Sequence, residues 1–332
     1  MSDKDHCRGI YIAWHPFQQR TYSLAQKLGV EPCWFHYDWE KHNKFIKLFA
    51  YLVKGISTIL LCVRYSPKQI FVQLPPVPVL YAVYFYSVLA NKKIVYDCHN
   101  SLFCSHWIRW PFVKGILNSC RSTVVTHNDD IAKIALSHGY ESMVLLDPLP
   151  ERVLVKESVV LPKELVKKGY VIVPFSFSDD EPIDALLDAA IDVPDMIFVI
   201  TWFEEKARNN VSREIPKNIV FTGFLDIELY KSVFSNAICA LALTTREGTQ
   251  PSVATEAISF GVPLIVSDLA TTRKLYDKWP IYVDNEADSI ATGLRQALDI
   301  HDELLIRMQS LYSHIESKHN EQFSLLTKRL SL

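Results

Sequence analysis

Glycine is scarce in this sequence of 332 residues, and no two of its 10 glycines stand two residues apart. The G-x-G-x-x-G loop of dinucleotide-binding domains is therefore absent. No glycine precedes a lysine, so the phosphate loop of Walker-type proteins is absent as well. These two absences exclude most dehydrogenases and most P-loop NTPases.

Paired cysteines are also lacking, because the seven cysteines form no C-x-x-C motif and are odd in number. This favours buried free thiols in a reducing cytosol over a disulfide framework. The amino terminus lacks the basic region and the long apolar run of a signal peptide. We therefore expect a cytoplasmic protein, at most peripherally bound to the inner face of the membrane.

Acidic residues are almost missing between Lys41 and Arg121, where 11 basic residues face only Asp97. Residues 1–150 carry a balance of +6 and residues 151–332 a balance of −8, which sum to the net charge of −2. The first half is expected to meet an anionic partner such as a phospholipid surface, a lipid phosphate or nucleic acid. The acidic second half is not expected to bind nucleic acid.

The most membrane-like stretch is residues 45–65, but it contains Lys47, Lys54 and Arg64. These charges predict that it falls short of a transmembrane span of roughly 20 apolar residues. It is either an interfacial helix lying on anionic lipid or a core-packing helix with a solvated basic face.

Short apolar runs rich in β-branched residues alternate with helical patterns along the whole chain. Six strands are predicted in each half, which indicates α/β domains with parallel sheets covered by helices. The pattern breaks at residues 147–150, DPLP, and two prolines so close together indicate a linker. We predict two doubly wound domains, 1–150 and 151–332, with a cleft between them.

The most informative segment is residues 243–256, where a polar loop leaves a strand and enters a helix near Ser252. Free backbone N–H groups and the helix dipole favour phosphate binding at such a point. The loop also offers a cation, two hydroxyls and a carboxylate suited to ribose hydroxyls, which are Arg246, Thr249, Ser252 and Glu256. The alternative is that Ser252 only caps the helix while Arg246 pairs with Glu247.

This segment resembles the donor-sugar motif of GT-B fold glycosyltransferases, especially family 4 and its relatives. Residues 256–263, EAISFGVP, match its second half closely. The first half departs, because eight residues instead of seven separate Glu247 from Glu256, and Gly248 occupies the matching position. The resemblance implies that Glu256 binds the ribose and that Glu247 approaches the sugar ring. The other donor contacts it implies are Gly248, Thr249, Gln250 and, in the base-reading loop at 221–225, Phe224.

The loop at 174–182, PFSFSDDEP, lacks the cations with which the resembled enzymes grip the diphosphate. Its hydroxyls, on Ser176 and Ser178, and the guanidinium of Arg246 are the expected substitutes. Otherwise this loop only caps the next helix. Enzymes of this fold need no metal, so none is expected.

In the first domain, residues 73–78 (QLPPVP) and 93–101 (KIVYDCHNS) resemble dolichol-pathway β-1,4-mannosyltransferases and their bacterial relatives. His99 matches a histidine that faces the reacting sugar in family 4. Its imidazole can bond the sugar or polarise the acceptor, and Asp97 either orients it or is itself the base. The alternative is a purely structural histidine. The acceptor contacts implied here are Arg20, Asn100 and Ser101.

Together these features predict transfer of a sugar from a UDP- or GDP-type donor to a lipid-linked or polysaccharide acceptor in cell-surface glycan synthesis. No further cofactor and no nucleic acid are expected. The second domain is expected to bind the donor, and the first to bind the acceptor and the membrane, with a C-terminal helix able to pack back on the first. Two alternatives stay open, a sugar-nucleotide epimerase and a catalytically silent glycan-binding or scaffold subunit.

Overall fold

The computed structural model describes residues 9–41, 43–150 and 169–330. The chain divides into two compact units, Met1–Pro148 with Lys318–Leu332, and Leu149–Ser317. Each unit is built on one six-stranded parallel sheet. The predicted α/β class with two doubly wound sheets is confirmed. The linker predicted at residues 147–150 has no helix or strand, and the division between the two units falls within it, after Pro148. Residues 151–168, which follow it, lie outside the described residues.

Six strands form the sheet of the first unit: β1 (Gly9–Ala13), β2 (Glu31–Trp34), β3 (Gln69–Leu74), β4 (Ile94–Cys98), β5 (Ser122–Thr126) and β6 (Met143–Val144). They lie in the order β2-β1-β3-β4-β5-β6. Every residue of β1 and β4 is buried, because helices cover both faces of the sheet. The α-helices between these strands and after β5 are α1 (Gln19–Leu28), α2 (Lys44–Tyr65), α3 (Pro78–Ala90), α4 (Asn100–Phe103), α5 (Val113–Leu117) and α6 (Asp129–Ser137).

The sheet of the second unit also has six strands: β7 (Tyr170–Val173), β8 (Ile197–Ile200), β9 (Ile219–Phe221), β10 (Cys239–Ala242), β11 (Leu264–Ser267) and β12 (Ile281–Val283). Their order is β12-β11-β10-β7-β8-β9. The remaining helices are α7 (Ile183–Asp192), α8 (Glu204–Asn210), α9 (Ile227–Ser235), α10 (Ser252–Phe260), α11 (Ala270–Tyr276), α12 (Ala287–Asp299) and α13 (His301–Leu330). From Lys318 onward α13 belongs to the first unit, where the His319 ring bonds the Leu146 carbonyl at 3.0 Å.

All twelve predicted strands are present, but the helices differ from prediction in two places. The pattern of residues 108–119 predicts one helix, but this stretch forms a 3₁₀ turn at His106–Arg109 and the short α5, because Pro111 lacks an N–H and disfavours helix at the residue before it. Helices α4 and α8 were not predicted, because segments of four and seven residues carry little periodicity. Asn128, followed by two acidic residues, predicts an N-cap for α6, and its Oδ1 accepts the Ile131 N–H at 2.8 Å as expected.

The cysteines of the described residues are all free thiols. Cys62, Cys98 and Cys239 are buried as expected, whereas Cys104 and Cys120 are exposed. Cys7 lies outside the described residues.

Helix α2 buries polar residues and exposes large apolar ones, which is the reverse of an ordinary surface helix. We call it the inverted helix α2. Its buried row, at four-residue spacing, contains Ala50, Lys54, Thr58 and Cys62. The large apolar residues that are at least 53% exposed on this helix are Phe45, Leu48, Phe49, Leu52, Ile56, Leu60 and Val63. Two polar residues are thus in the interior while an apolar surface faces outward.

By length and composition, residues 45–65 of α2 are apolar enough to cross a membrane, with a mean hydropathy of 1.8 and 22% of the window buried. This differs from the expectation that the three charges keep the segment below that limit, because the apolar residues of the window outweigh the charged residues within it. The buried row still packs α2 against its own unit.

Each sheet reverses its strand order once, between β1 and β3 in the first unit and between β7 and β10 in the second. Ligands of doubly wound sheets bind outside the carboxyl ends of the strands at such points. Ligand-binding residues are therefore expected at these two edges.

Candidate active site

In the second unit, a cavity of about 450 Å³ opens at the carboxyl ends of β7, β8 and β9. The residues on its wall that matter most for a ligand are Ser176, Trp202, Phe224, Tyr230, Ser252 and Glu256. Four of these, Ser176, Phe224, Ser252 and Glu256, are predicted donor residues. Parallel strands that end at one edge bring together residues that lie up to 80 positions apart in the sequence.

Glu256 lies one turn into α10, and its carboxylate is held by a neighbour from another helix. The hydroxyl of Tyr230, on α9, donates to Glu256 Oε2 at 2.6 Å. Burial raises the pKa of Glu256, and the Tyr230 hydrogen bond only partly opposes this. The second carboxylate oxygen accepts no bond among the contacts of the described residues, and it is available to a ligand in the cavity.

The loop after β7 is organised by Glu181. Its carboxylate accepts the backbone N–H groups of Ser176 and Ser178 at 3.0 and 3.1 Å, and the Ser176 hydroxyl at 3.1 Å. The two serine hydroxyls are 2.6 Å apart. The ammonium group of Lys206, on α8, donates to the Ser176 carbonyl and lies 5.0 Å from the Trp202 ring centre. A cation therefore does reach this loop, from a helix that sequence patterning missed.

The loop after β10 is tied to the loop after β7 through Asp180. The Asp180 carboxylate accepts the Thr244 hydroxyl at 2.8 Å, and its carbonyl accepts the Thr245 N–H at 2.7 Å. Arg246 is exposed, with its guanidinium 3.7 Å from Asp180 rather than paired with Glu247. It lies outside the lining of the cavity described above, as do Thr249 and Gln250.

Glu247 faces the start of α11. Its two oxygens accept the N–H groups of Ala270 and Thr271 at 3.0 and 3.2 Å, and the Thr271 hydroxyl at 2.9 Å. Burial opposes ionisation, but these hydrogen bonds outweigh it and lower the pKa of Glu247. Gly248 has a φ of 75°, the left-handed region that favours glycine, and it donates to Thr271 at 2.9 Å. Glu247 thus stabilises the loop before α11, and its approach to the sugar ring stays a prediction.

In the first unit, Asp97 and Arg20 form a buried ion pair. Arg20 Nη2 and Nε lie 2.8 and 2.9 Å from the Asp97 oxygens, and the Tyr11 hydroxyl donates to the same carboxylate at 2.6 Å. Arg20 Nη1 bonds Asp147 and the Leu145 carbonyl, at 2.5 and 2.9 Å. Burial alone would raise the pKa of Asp97, but Arg20 outweighs it and holds that pKa well below its usual range.

This pair bears on two predicted roles. A buried carboxylate with a depressed pKa and three donated hydrogen bonds is poorly suited to take up a proton, and the buried guanidinium of Arg20 is engaged on all three nitrogens. The catalytic role of Asp97 and the acceptor contact of Arg20 stay predictions. The pair connects α1, which follows β1, to β4 and to the segment that follows β6.

His99 directly follows β4 and is partly exposed, with Nε2 3.6 Å from Asp97 Oδ2. This distance is longer than a hydrogen bond, and His99 Nε2 is buried without a hydrogen-bond partner among the described residues. Orientation of the ring by Asp97 therefore stays a prediction. Two further imidazoles, missed from sequence, lie near His99. His127, after β5, has its ring centre 6.0 Å away, and His15, after β1, bonds the Pro75 carbonyl at 3.2 Å.

Two of these imidazoles, those of His127 and His15, have lowered pKa values. Burial lowers the pKa of His127 to about 4 and also lowers that of His15. Both are therefore neutral at pH 7. Asn100 and Ser101, the other predicted acceptor contacts, begin α4 beside His99, with the Asn100 side chain accepting the Ser101 N–H at 2.7 Å.

Over the described residues, no three His, Cys, Asp or Glu side chains cluster as metal ligands would. Independence from metal stays a prediction.

No protein-family model and no curated protein matches the sequence. Solved structures do match. Anabaena HepE in complex with UDP and glucose has a TM-score of 0.67 at 13% identity, over 96% of this chain and 100% of HepE. The chain has the GT-B fold.

Other proteins with this fold align over nearly the whole chain. A trehalose-6-phosphate synthase, studied for glycosyl transfer with retention, has a TM-score of 0.66 at 11% identity, over 98% of this chain and 99% of its own. A Listeria monocytogenes structure described as a UDP-N-acetylglucosamine 2-epimerase has a TM-score of 0.65 at 11% identity. The match covers 98% of this chain and 97% of that structure's chain. The GT-B fold thus carries more than one reaction on nucleotide sugars.

Proposed function

We propose that this protein transfers a glycosyl group from a nucleoside-diphosphate sugar to a glycan or lipid-linked acceptor in cell-surface glycan synthesis. The observation that carries the proposal is the partly buried Glu256 carboxylate, held by Tyr230 in the wall of a cavity at three strand ends. The GT-B fold, shared with structures that bind UDP and glucose, supports the same conclusion.

The second unit binds the donor in this proposal. Glu256 accepts the ribose hydroxyls, and the backbone around Phe224 contacts the base. The start of α10 at Ser252 and the ammonium group of Lys206 lie near the same cavity and offer positive charge to the diphosphate. Lys206 takes the place of the cation missing from residues 174–182, and Arg246 adds charge at the neighbouring loop. Preorganised donors of this kind stabilise the departing diphosphate.

The first unit binds the acceptor, and His99 is the catalytic candidate there. An inverting reaction needs a base, for which the partly exposed imidazole of His99 is suited and Asp97 is not. A retaining reaction needs no protein base, and His99 then positions the sugar. UDP is the donor nucleotide we favour, because the HepE structure contains it.

The inverted helix α2 supports a membrane-bound acceptor at the inner face of the membrane. Its outward apolar side would cost free energy in water, and burying it in lipid recovers about 25 cal/mol per Å². The excess of 11 basic residues to one acidic residue between Lys41 and Arg121 suits anionic lipid.

The first test is thermal unfolding of the purified full chain with UDP, GDP, TDP or CMP. A ligand present at 100 times its Kd stabilises a protein by about 2.7 kcal/mol. We expect UDP to raise the midpoint, and UDP release from a UDP-sugar to require a prenyl-diphosphate-linked sugar as acceptor. No stabilisation by any nucleotide would contradict the proposal and favour the silent subunit.

The Listeria monocytogenes neighbour makes an epimerase the second candidate. An epimerase would convert UDP-N-acetylglucosamine at carbon 2 with no acceptor present. Proton NMR of the sugar anomeric signals distinguishes this outcome from transfer in the same incubation.

A further inference from the structure

The cavity of the second unit has a polar side and an apolar side. The strand order β10-β7-β8-β9 places α10, which begins after β10, at one side, and the residues that follow β8 and β9 at the other. Ser252 and Glu256 line the cavity from α10. Trp202, after β8, and Phe224, after β9, line it from the far side. The lining thus changes along the sheet from hydroxyl and carboxylate groups to aromatic rings.

Trp202 is held at the end of β8 by both its backbone and its ring. Its carbonyl accepts the Gly223 N–H at 3.0 Å, which joins it to the loop after β9. Its partly buried indole packs against the core of the second unit, and the Phe203 ring meets it edge-on with the ring centres 6.3 Å apart. An aromatic side chain fixed in this way at a strand end offers a rigid surface to a ligand.

Lys206 also helps to fix the indole. Its ammonium group lies 5.0 Å from the Trp202 ring centre and donates to the carbonyl of Ser176, which lines the same cavity. A cation at this distance is attracted to the π face of an indole ring. The orientation of Trp202 therefore depends on the loop after β7 as well as on β8.

Apolar side chains near Trp202 are exposed. Phe224 is 74% exposed and Ile227 is 63% exposed, although both line the cavity. Exposed apolar groups that border a cavity favour a ligand that covers them. The matching part of a nucleotide is its base, because the ribose carries the hydroxyls that suit Glu256 and the diphosphate carries the charge.

We propose that Trp202 is a specificity-determining residue of the donor site, on whose indole the nucleobase stacks. The indole contacts the π face of the base, whereas the backbone around Phe224 contacts its edge. This inference rests on the proposed function, because it names the side chain that recognises the base of the donor. The aromaticity of the base, and not only its hydrogen-bonding groups, then determines nucleotide affinity.

The test is isothermal titration of the full chain with UDP and with 5,6-dihydro-UDP. The two probes share the diphosphate, the ribose and the carbonyl and N–H groups of the base, but the reduced base is neither planar nor aromatic. Trp202→Leu removes the aromatic surface, and Trp202→Phe retains one. Trp279→Leu is the matched control, because Trp279 is also partly buried in the second unit beside a lysine, with Lys278 Nζ 5.7 Å from its ring centre.

We expect the wild type and Trp279→Leu to bind UDP about tenfold more tightly than dihydro-UDP. Trp202→Leu should bind UDP about tenfold more weakly than the wild type does, and its affinities for the two probes should be nearly equal. Trp202→Phe should recover part of the preference for UDP. Equal affinity of the wild type for the two probes overturns the proposal, and so does a Trp202→Leu variant that loses the same factor in affinity for both.

The same titrations separate this inference from the proposed function. A wild type that binds neither probe contradicts the proposed function, and the inference fails with it. A wild type that binds both probes equally retains the donor site, and only the stacking role fails. Thermal unfolding without ligand shows whether each variant is folded. If Trp202→Leu does not fold, the wild type and Trp202→Phe decide, since the preference for UDP should be smaller in Trp202→Phe.

Discussion

The hydroxyl of Tyr230 donates a 2.6 Å hydrogen bond to Glu256, and these two residues come from different helices of the second unit. Tyr230 follows β9 on α9, while Glu256 lies on α10 after β10. The bond fixes one carboxylate oxygen and leaves the other toward the cavity. A preorganised acceptor of this kind suits the paired hydroxyls of a ribose.

Replacing either member of this pair is expected to weaken UDP binding. Glu256→Gln should raise the Kd for UDP by about tenfold, because a charged acceptor of ribose hydroxyls is lost, and Tyr230→Phe should raise it less. Tyr312→Phe is the matched control, since the Tyr312 hydroxyl bonds Glu316 on the exposed side of α13. Isothermal titration with UDP measures all three. Wild-type affinity in Glu256→Gln would remove Glu256 from the donor site.

The raised pKa of Glu256 predicts that nucleoside binding weakens on acidification. The carboxylate accepts hydroxyls best when ionised, and burial makes it take up a proton at a higher pH than an ordinary glutamic acid, about 4.3. Uridine is the ligand to use, because it has no phosphate that titrates in this range. Its affinity should begin to fall at a pH above that ordinary value as the wild type is acidified, and should stay flat in Glu256→Gln. Parallel profiles for the two proteins would contradict this role.

Breaking the Arg20–Asp97 pair is expected to destabilise the fold. Arg20→Met leaves a buried carboxylate without its partner, a loss of about 3–5 kcal/mol. Arg208→Met, which removes an exposed pair with Glu204, should have little effect. Urea unfolding of the full chains at pH 7 measures both. Equal midpoints would show that the buried pair contributes no more than a surface one.

The Arg20–Asp97 pair also determines how the free energy of unfolding changes with pH. Because the pKa of Asp97 is lowered on folding, its contribution to stability is complete above the unfolded value of about 3.9 and declines as the pH falls below that value. Asp97→Asn should lack this acid-dependent part of the free energy of unfolding.

His99→Ala is expected to lower glycosyl transfer by about 100-fold, the lower end for loss of a general base or acid. UDP affinity should not change, because His99 belongs to the first unit. His138→Ala, an exposed histidine at the end of α6, is the control. Transfer at the wild-type rate in His99→Ala would exclude the catalytic role of His99, whereas absence of transfer by the wild type itself would favour a silent subunit.

Placing charge on the outer side of α2 is expected to abolish membrane binding. Leu48→Glu with Leu52→Glu should prevent flotation with vesicles that contain phosphatidylglycerol, whereas Leu136→Glu, on the exposed side of α6, should not. Wild-type binding should fall in pure phosphatidylcholine and at high salt, since basic residues contribute to it. Flotation of the double variant with anionic vesicles would mean that another surface contacts the lipid.

The sequence by itself determined the layer architecture, because continuous apolar runs alternating with helical periodicity leave little choice but buried parallel strands. Ser252 and Glu256 were found for the same local reason: a strand, a polar loop and a helix start lie consecutively in the chain. The limits of β5, β9 and β12 follow from adjacent turn residues in the same way. Features whose position depends on neighbouring residues in the chain could therefore be predicted from the sequence.

Only the tertiary structure decided what the charged residues do. The sequence suggested Asp97 as a candidate base, but Arg20, 77 positions away in the chain, pairs with it and keeps it ionised. The Tyr230–Glu256 bond and the approach of Lys206 to Ser176 likewise join separate loops at one sheet edge. The sequence suggested that Lys54 is a solvated charge on a helix. In the structure the side of α2 that contains Lys54 is buried, and the large apolar residues of the helix are exposed. Burial and the partners of a charge depend on which strands become neighbours, and that property belongs to the fold and not to any single segment.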